Sequence, residues 1–155
     1  MGFELMYFAL LRVSEVCDLK VRDINFDERV IRVFEGKTGD RNVKIGPEFA
    51  AELAAHVKGL RPDAPVVSYD RDEPYDRDHF DYRMQKYSRM AGIDVEIHGR
   101  PHSHMLRHSG ARESLRNGIL TIEELRVQLG HSFLSTTAIY LRTDGEGIGD
   151  LPSNR

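Results

Sequence analysis

The chain has 155 residues and a mass of 17.7 kDa, with 40% hydrophobic and 30% charged residues. That is the size of one domain, large enough to bury a core without a disulfide or metal staple. No apolar run approaches the ~20 residues of a membrane helix. The start, Met1-Gly2-Phe3-Glu4, lacks the basic region of a secretion signal. A single cysteine, Cys17, excludes an internal disulfide and any multi-cysteine zinc module, and a reducing cytoplasm is the expected location. A formal charge of −3 and a pI of about 6.2 argue against a bulk cationic nucleic-acid binder. The average conceals an asymmetry: residues 60–97 carry nine acids against six bases, whereas residues 98–143 carry six arginines and five histidines against three glutamates.

In chain order, the apolar run from Phe3 to Val16 reads as a buried helix holding Arg12, with a polar exit at Asp18-Leu19-Lys20. Two β-rich runs, Arg29–Phe34 and Asn42–Ile45, flank a glycine-bearing loop and predict a hairpin with Lys37 at or beside its tip. Pro47 suits the first turn of a helix reaching about Leu60, with Ala50, Leu53, Ala54 and Val57 on one face. A loop rich in Asp and Pro covers 61–77. Asp78 is the expected cap of a helix carrying Phe80, Met84 and Tyr87 up to Gly92. Residues 93–102 read as irregular. A helix is predicted from Ser103 to Arg116, stopping at Asn117-Gly118. Thr121 with Glu124 three residues on has capping-box form, so another helix starts there and ends at Gly130. Ser135 is the expected cap of a last short helix carrying Tyr140. The Gly-rich tail, 144–155, is expected to be flexible. The fold class is α+β, mostly helical, with a small antiparallel sheet near residues 21–45.

Several residues could carry chemistry. Arg12 lies in an apolar run, where arginine is rarely unpaired. It could pair with Glu15 three residues on, or form an anion site, because a guanidinium matches two phosphate oxygens. His104 and Arg107, three apart on a helix, put a titratable ring beside a permanent cation. His98, His102, His104 and His108 could instead bind a metal, or simply be solvated. Tyr140 on an amphipathic helix could be core packing, and Lys37 an ordinary solvated lysine.

Five segments occur together in one order: Arg12-Val13-Ser14-Glu15, Gly36-Lys37-Thr38-Gly39, His104-Met105-Leu106-Arg107-His108, Leu129-Gly130-His131-Ser132 and Ser135-Thr136-Thr137-Ala138-Ile139-Tyr140. In this the chain resembles the catalytic domain of tyrosine recombinases, the phage-integrase family, from about Leu5 to Leu141. The resemblance implies a site-specific recombinase or integrase domain that cuts and rejoins double-stranded DNA with neither metal nor nucleotide cofactor. Tyr140 would attack a backbone phosphorus to give a 3′-phosphotyrosyl link. Arg12, Arg107 and His131 would hold the non-bridging oxygens, Lys37 would protonate the leaving 5′-oxygen, and His104 would assist proton transfer at the tyrosine. Glu15 would orient Arg12, and His108 follows the second arginine as it often does in the family. The chain would be a monomer when free and a tetramer on paired sites. The alternatives are a non-catalytic DNA-binding or assembly remnant of the same fold, and a type IB topoisomerase-like enzyme. Residues 1–143 read as the catalytic domain, N-terminally truncated and without the family's separate helical domain. Leu10 departs from the pattern, standing where the family usually has Gly two residues before the arginine.

Overall fold

The run Phe3–Val16 folds as two short helices, α1 (Gly2–Phe8) and α2 (Val13–Asp18), not as one. The computed structural model describes residues 1–34, 39–70, 73–93, 102–132 and 134–141. The break lies at Leu10, which has φ 56°. The Leu5 carbonyl accepts from the N–H groups of both Ala9 (3.2 Å) and Leu11 (3.3 Å), closing α1. A left-handed leucine costs roughly 1–2 kcal/mol, a cost glycine escapes. Burial offsets it: the Leu10 side chain packs with Ala111, Leu125, Leu129 and Tyr140. Leucine therefore takes the conformation that suits a glycine, and it also fills a core position.

The predicted hairpin is present as β2 (Val30–Val33) and β3 (Arg41–Lys44), with an additional strand, β1 (Ile24–Asn25), on its outer side. All pairings are antiparallel, and Ile31 lies opposite Val43. Alternation puts Ile31, Val33 and Val43 into the core and Arg32, Asn42 and Lys44 outward. Lys37 lies outside the described residues.

Helix α3 (Pro47–His56) starts at Pro47 as expected but ends short of Leu60, the chain turning at Gly59 with φ 83°. In the segment read as a loop, β4 (Ser68–Asp70) pairs antiparallel with β5 (Glu73–Pro74). The cap of α4 (Arg77–Met90) is Asp76, not Asp78: its carboxylate accepts the His79 N–H at 2.8 Å. Asp78 is instead an acid in the first turn, where the helix dipole favours it.

Helix α5 (His104–Arg116) crosses α1 at Gly110, where a Cβ would overlap the Tyr7 carbonyl oxygen. Helix α6 (Ile122–Leu129) has the predicted capping box. Glu124 N–H donates to Thr121 Oγ1 (3.2 Å), and Thr121 N–H donates to the Glu124 carboxylate (2.8 Å). It closes at Gly130, left-handed with φ 67°. The chain then forms α7 (Leu134–Thr137) and a 3₁₀ turn, Ala138–Leu141, that carries Tyr140. The tail and most of 93–102 lie outside the described residues.

The core has two parts. The larger joins α1, α2, the three-stranded sheet and α3 through Leu5, Leu11, Val16, Ile31, Val43 and Leu53. The smaller is the cluster around Leu10 between α5, α6 and Tyr140. The residues from Leu10 to Arg12 run between the two. Among the described residues, no helix is long and apolar enough to cross a membrane.

Candidate active site

Arg12 stands at the N-cap of α2 in extended conformation, and Glu15 turns back to it. The Glu15 carboxylate accepts the Arg12 backbone N–H (2.7 Å) through Oε2 and Arg12 Nη1 (2.9 Å) through Oε1. Arg41, the first residue of β3, grips the same carboxylate as a fork, Nη1 to Oε1 at 3.0 Å and Nη2 to Oε2 at 2.9 Å. Its Nε donates to the Gln128 carbonyl at 3.1 Å. Arg107 donates to the Leu10 carbonyl (2.5 Å) and the Leu129 carbonyl (2.7 Å), and lies 3.7 Å from Glu15 Oε2. Arg12 Nη2 also reaches Leu129 O, at 3.5 Å.

Three guanidiniums thus surround one carboxylate, which leaves a net positive cluster. Arg107 is 2% exposed and Glu15 and Arg41 are nearly as buried, whereas the Arg12 side chain is 36% exposed. Burial brings Arg107 down to about 10, Glu15 opposing and Arg12 and Arg41 adding to the fall. It remains charged at neutral pH. The structural job of fixing these arginines falls to Glu15 and to backbone carbonyls at the ends of α1 and α6. Such a cluster, with an exposed edge at Arg12, is suited to an anion with several oxygens.

The histidines lie in the field of this cluster. His131, one residue past the left-handed Gly130, is fixed by Nδ1 to Thr137 Oγ1 at 3.0 Å. Burial, and then the nearby Arg107, Arg12 and Arg41, lower it to about 4. His104 is lowered to about 4 by burial and by His108 and Arg107. The rings of His104 and His108 meet edge to face, centroids 4.5 Å apart. It is His108, not His104, that touches the tyrosine: His108 Nδ1 lies 2.7 Å from the Tyr140 hydroxyl. Burial raises the Tyr140 phenol above its usual 10, with Arg107 and Arg112 pulling the other way.

The structure therefore brings Arg12, Glu15, His104, Arg107, His108, His131 and Tyr140 to one place; Lys37 and His98 lie outside the described residues. Among the described residues, no three His, Cys, Asp or Glu side chains are grouped so as to hold a metal ion. The residue missed in the sequence is Arg41. It is 26 positions from Glu15, so no local spacing announces the pair. Gln128 was also missed; its amide pairs with both backbone groups of Lys44, Nε2 to O at 2.6 Å and N–H to Oε1 at 3.2 Å, tying α6 to the sheet.

A pH dependence follows from the two strongly shifted rings. Their folded-state values, about 4, lie below the ordinary 6.5. Between those limits the unfolded chain binds more protons than the folded one, so stability falls as pH falls from 6.5 towards 4. The loss should be on the order of 1 kcal/mol per histidine, allowing for solvent screening of half-buried groups. Urea midpoints at pH 7 and 4.5 measure it, and His131→Asn should flatten the profile. An unchanged slope in that variant would remove His131 from the account.

The chain matches the sequence pattern of the phage integrase family over residues 1–146. It belongs to that family. Tyrosine recombinase XerA of Thermococcus onnurineus (strain NA1) is 38% identical over 151 residues, which cover 94% of this chain and 51% of the relative. The chain spans about half the length of the curated relatives it matches. Among solved structures, the crystal structure of XerA recombinase superposes with a TM-score of 0.74 at 28% identity, covering 90% of this chain and 51% of that one. The Tn1549 transposon integrase in complex with a circular intermediate DNA has the same fold, with a TM-score of 0.72 at 18% identity over 90% of this chain and 52% of that one. The mostly helical integrase-family architecture with a small antiparallel sheet is as expected from the sequence; the split first helix and the shifted α4 cap are not.

Proposed function

We propose that the chain is the catalytic part of a site-specific DNA recombinase that cuts and rejoins strands through a 3′-phosphotyrosyl intermediate. The observation that carries this reading is the convergence of Arg12, His104 and His131 on Arg107, with His108 of the same helix against the Tyr140 hydroxyl. Phosphoryl transfer needs positioning and charge stabilisation above all, and two fixed guanidiniums supply both. In the proposed reaction a backbone phosphate lies on the open side of Arg12, its non-bridging oxygens held by Arg12, Arg107 and His131. Tyr140 Oη attacks the phosphorus and the bond to the 5′-oxygen breaks. Lys37 protonates that oxygen, His104 assists at the tyrosine side, and Glu15 keeps Arg12 in place. The covalent link conserves the phosphodiester energy, so rejoining is the same step reversed. Double-stranded DNA is the proposed partner, with four copies acting on paired sites and the free chain a monomer.

A library of nicked duplexes of randomised sequence tests this without knowledge of the target. The wild-type chain should yield SDS-resistant protein–DNA adducts and Tyr140→Phe none. Adducts undiminished in Tyr140→Phe would displace Tyr140 as the nucleophile. Salt-sensitive retention of DNA with no adduct in the wild type would favour a non-catalytic binding module instead.

A further inference from the structure

We infer that Arg41 is a positioning residue for the proposed reaction: its fork on Glu15 fixes the carboxylate that aims Arg12 at the phosphate. The inference rests on the reading above, in which Arg12 holds a non-bridging oxygen. In this role Arg41 meets no reacting atom.

The first support is what holds Glu15. Arg12 cannot anchor itself, so the direction of its guanidinium depends on how firmly the carboxylate beside it is held. The Arg12 backbone N–H fixes one carboxylate oxygen, Oε2, at 2.7 Å. That contact alone lets Oε1 swing. Two parallel contacts define a plane, and Arg41 supplies them, at 3.0 Å to Oε1 and 2.9 Å to Oε2. Oε1 is the atom that Arg12 Nη1 meets at 2.9 Å. Arg107 stands farther off, 3.7 Å from Oε2.

The second support is what holds Arg41. It begins β3 and lies opposite Val33 of β2. Its Nε donates to the Gln128 carbonyl at 3.1 Å, and three residues on, the Gln128 side chain takes both backbone groups of Lys44. The end of α6 is thus joined to β3 at Arg41 and again at Lys44. The Arg41 side chain also lies against Gly130, where an added Cβ would come within 3.1 Å of its Cδ. The aim of Arg12 is therefore referred, through Glu15 and Arg41, to the sheet.

The third support is the difference in exposure. The Arg41 side chain is 8% exposed and that of Arg12 36%. A buried guanidinium sets the direction, and an exposed one faces the anion. Misplacing a catalytic group by about 1 Å costs on the order of 10²-fold in rate, so loss of the fork is a kinetic defect before it is a structural one.

Arg41→Lys tests geometry apart from charge, because lysine keeps the cation and cannot form the coplanar fork. The variant should melt within a few degrees of the wild type. Its His131 should titrate as before by ¹⁵N NMR, since Arg41 acts on that ring through its charge. The Arg12 Nε–H should pass from the rigid range to the flexible one, with an order parameter below about 0.6. Equal mobility of Arg12 in the two proteins would overturn the inference, even with adducts that require Tyr140. On the nicked duplexes, adducts should form about 10- to 100-fold more slowly at saturating DNA, with half-saturation changed by less than about threefold. Where a methyl group replaces one non-bridging oxygen of the reacting phosphate, the charge that Arg12 meets is gone. The two proteins should then react within about threefold of each other. A loss of equal size on both substrates is what fewer folded molecules would give, and it would overturn the inference, as would a wild-type rate in Arg41→Lys. Arg41→Gln, which also lacks the fork, takes its place if the lysine variant does not fold, and the motion of Arg12 and the two rates decide in the same way. Adducts undiminished in Tyr140→Phe would instead defeat the proposed reaction and, with it, this role, whatever the motion of Arg12.

Discussion

Replacing Glu15 by glutamine should cost roughly 3–5 kcal/mol of stability, the range for removing one partner of a buried ionic group. The reason is that this carboxylate is shared. Arg12, Arg41 and Arg107 all lie within 4 Å of it, and two of the three are almost fully buried. Glutamine keeps the size and some hydrogen bonds but leaves three cations with no counter-charge. Arg41→Gln should be milder, because it removes one like charge and leaves Glu15 with two partners. The measurement is urea unfolding at pH 7 with and without phosphate. Phosphate should restore more stability to Glu15→Gln than it adds to the wild type, because the variant's cationic cluster then finds its anion outside. A loss below about 1 kcal/mol would mean that solvent already screens the cluster.

Gly110→Ala should destabilise by about 3 kcal/mol or more. A glycine inside a helix normally gains about 1 kcal/mol on becoming alanine, so the expected sign is reversed here by packing. The added Cβ would overlap the Tyr7 carbonyl oxygen and lie 2.9 Å from Leu10 Cδ2. Backbone cannot turn aside as a side chain can, so α1 must separate from α5. That movement takes the Leu10 carbonyl away from Arg107, its partner at 2.5 Å. The variant should therefore lose anion affinity as well as stability, seen by phosphate titration of the melting temperature. A gain in stability would show that the crossing is looser than its geometry.

The features legible in the sequence are those fixed by neighbours in the chain. Thr121 and Glu124 cap each other across three residues, Pro47 starts a helix where its missing N–H costs nothing, and the alternation in 30–33 and 41–44 encodes the sheet faces. The misreadings have long-range causes. The helix expected through Arg12 breaks because Leu10 is held by residues some 100–130 positions away on α5, α6 and the Tyr140 turn, which no local periodicity reports. Asp76 and Asp78 are both competent caps, and the first turn of α4 selects between them. At the site, ordered motifs pointed to Arg12, Arg107 and Tyr140, but they did not reveal that Glu15 has a further partner, Arg41, on a β-strand. Nor could i, i+4 spacing tell which of His104 and His108 meets the hydroxyl, since that depends on the approach of a separate segment.

Tyr140 is 8% exposed and belongs to the smaller core with Leu10, Leu125 and Leu129. Its ring is thus a plug as well as the proposed nucleophile. In the proposed reaction, a shift of this residue onto a phosphate would open a hole beneath it, and the free energy of that hole would be set against the binding of the proposed DNA substrate. Truncation to alanine would confuse the two roles by emptying the hole permanently, whereas phenylalanine keeps the plug and deletes only the oxygen. Substitutions that shrink the neighbouring leucines would loosen the plug without touching a single charged group. In this way an apolar cluster would set how readily the proposed nucleophile is released.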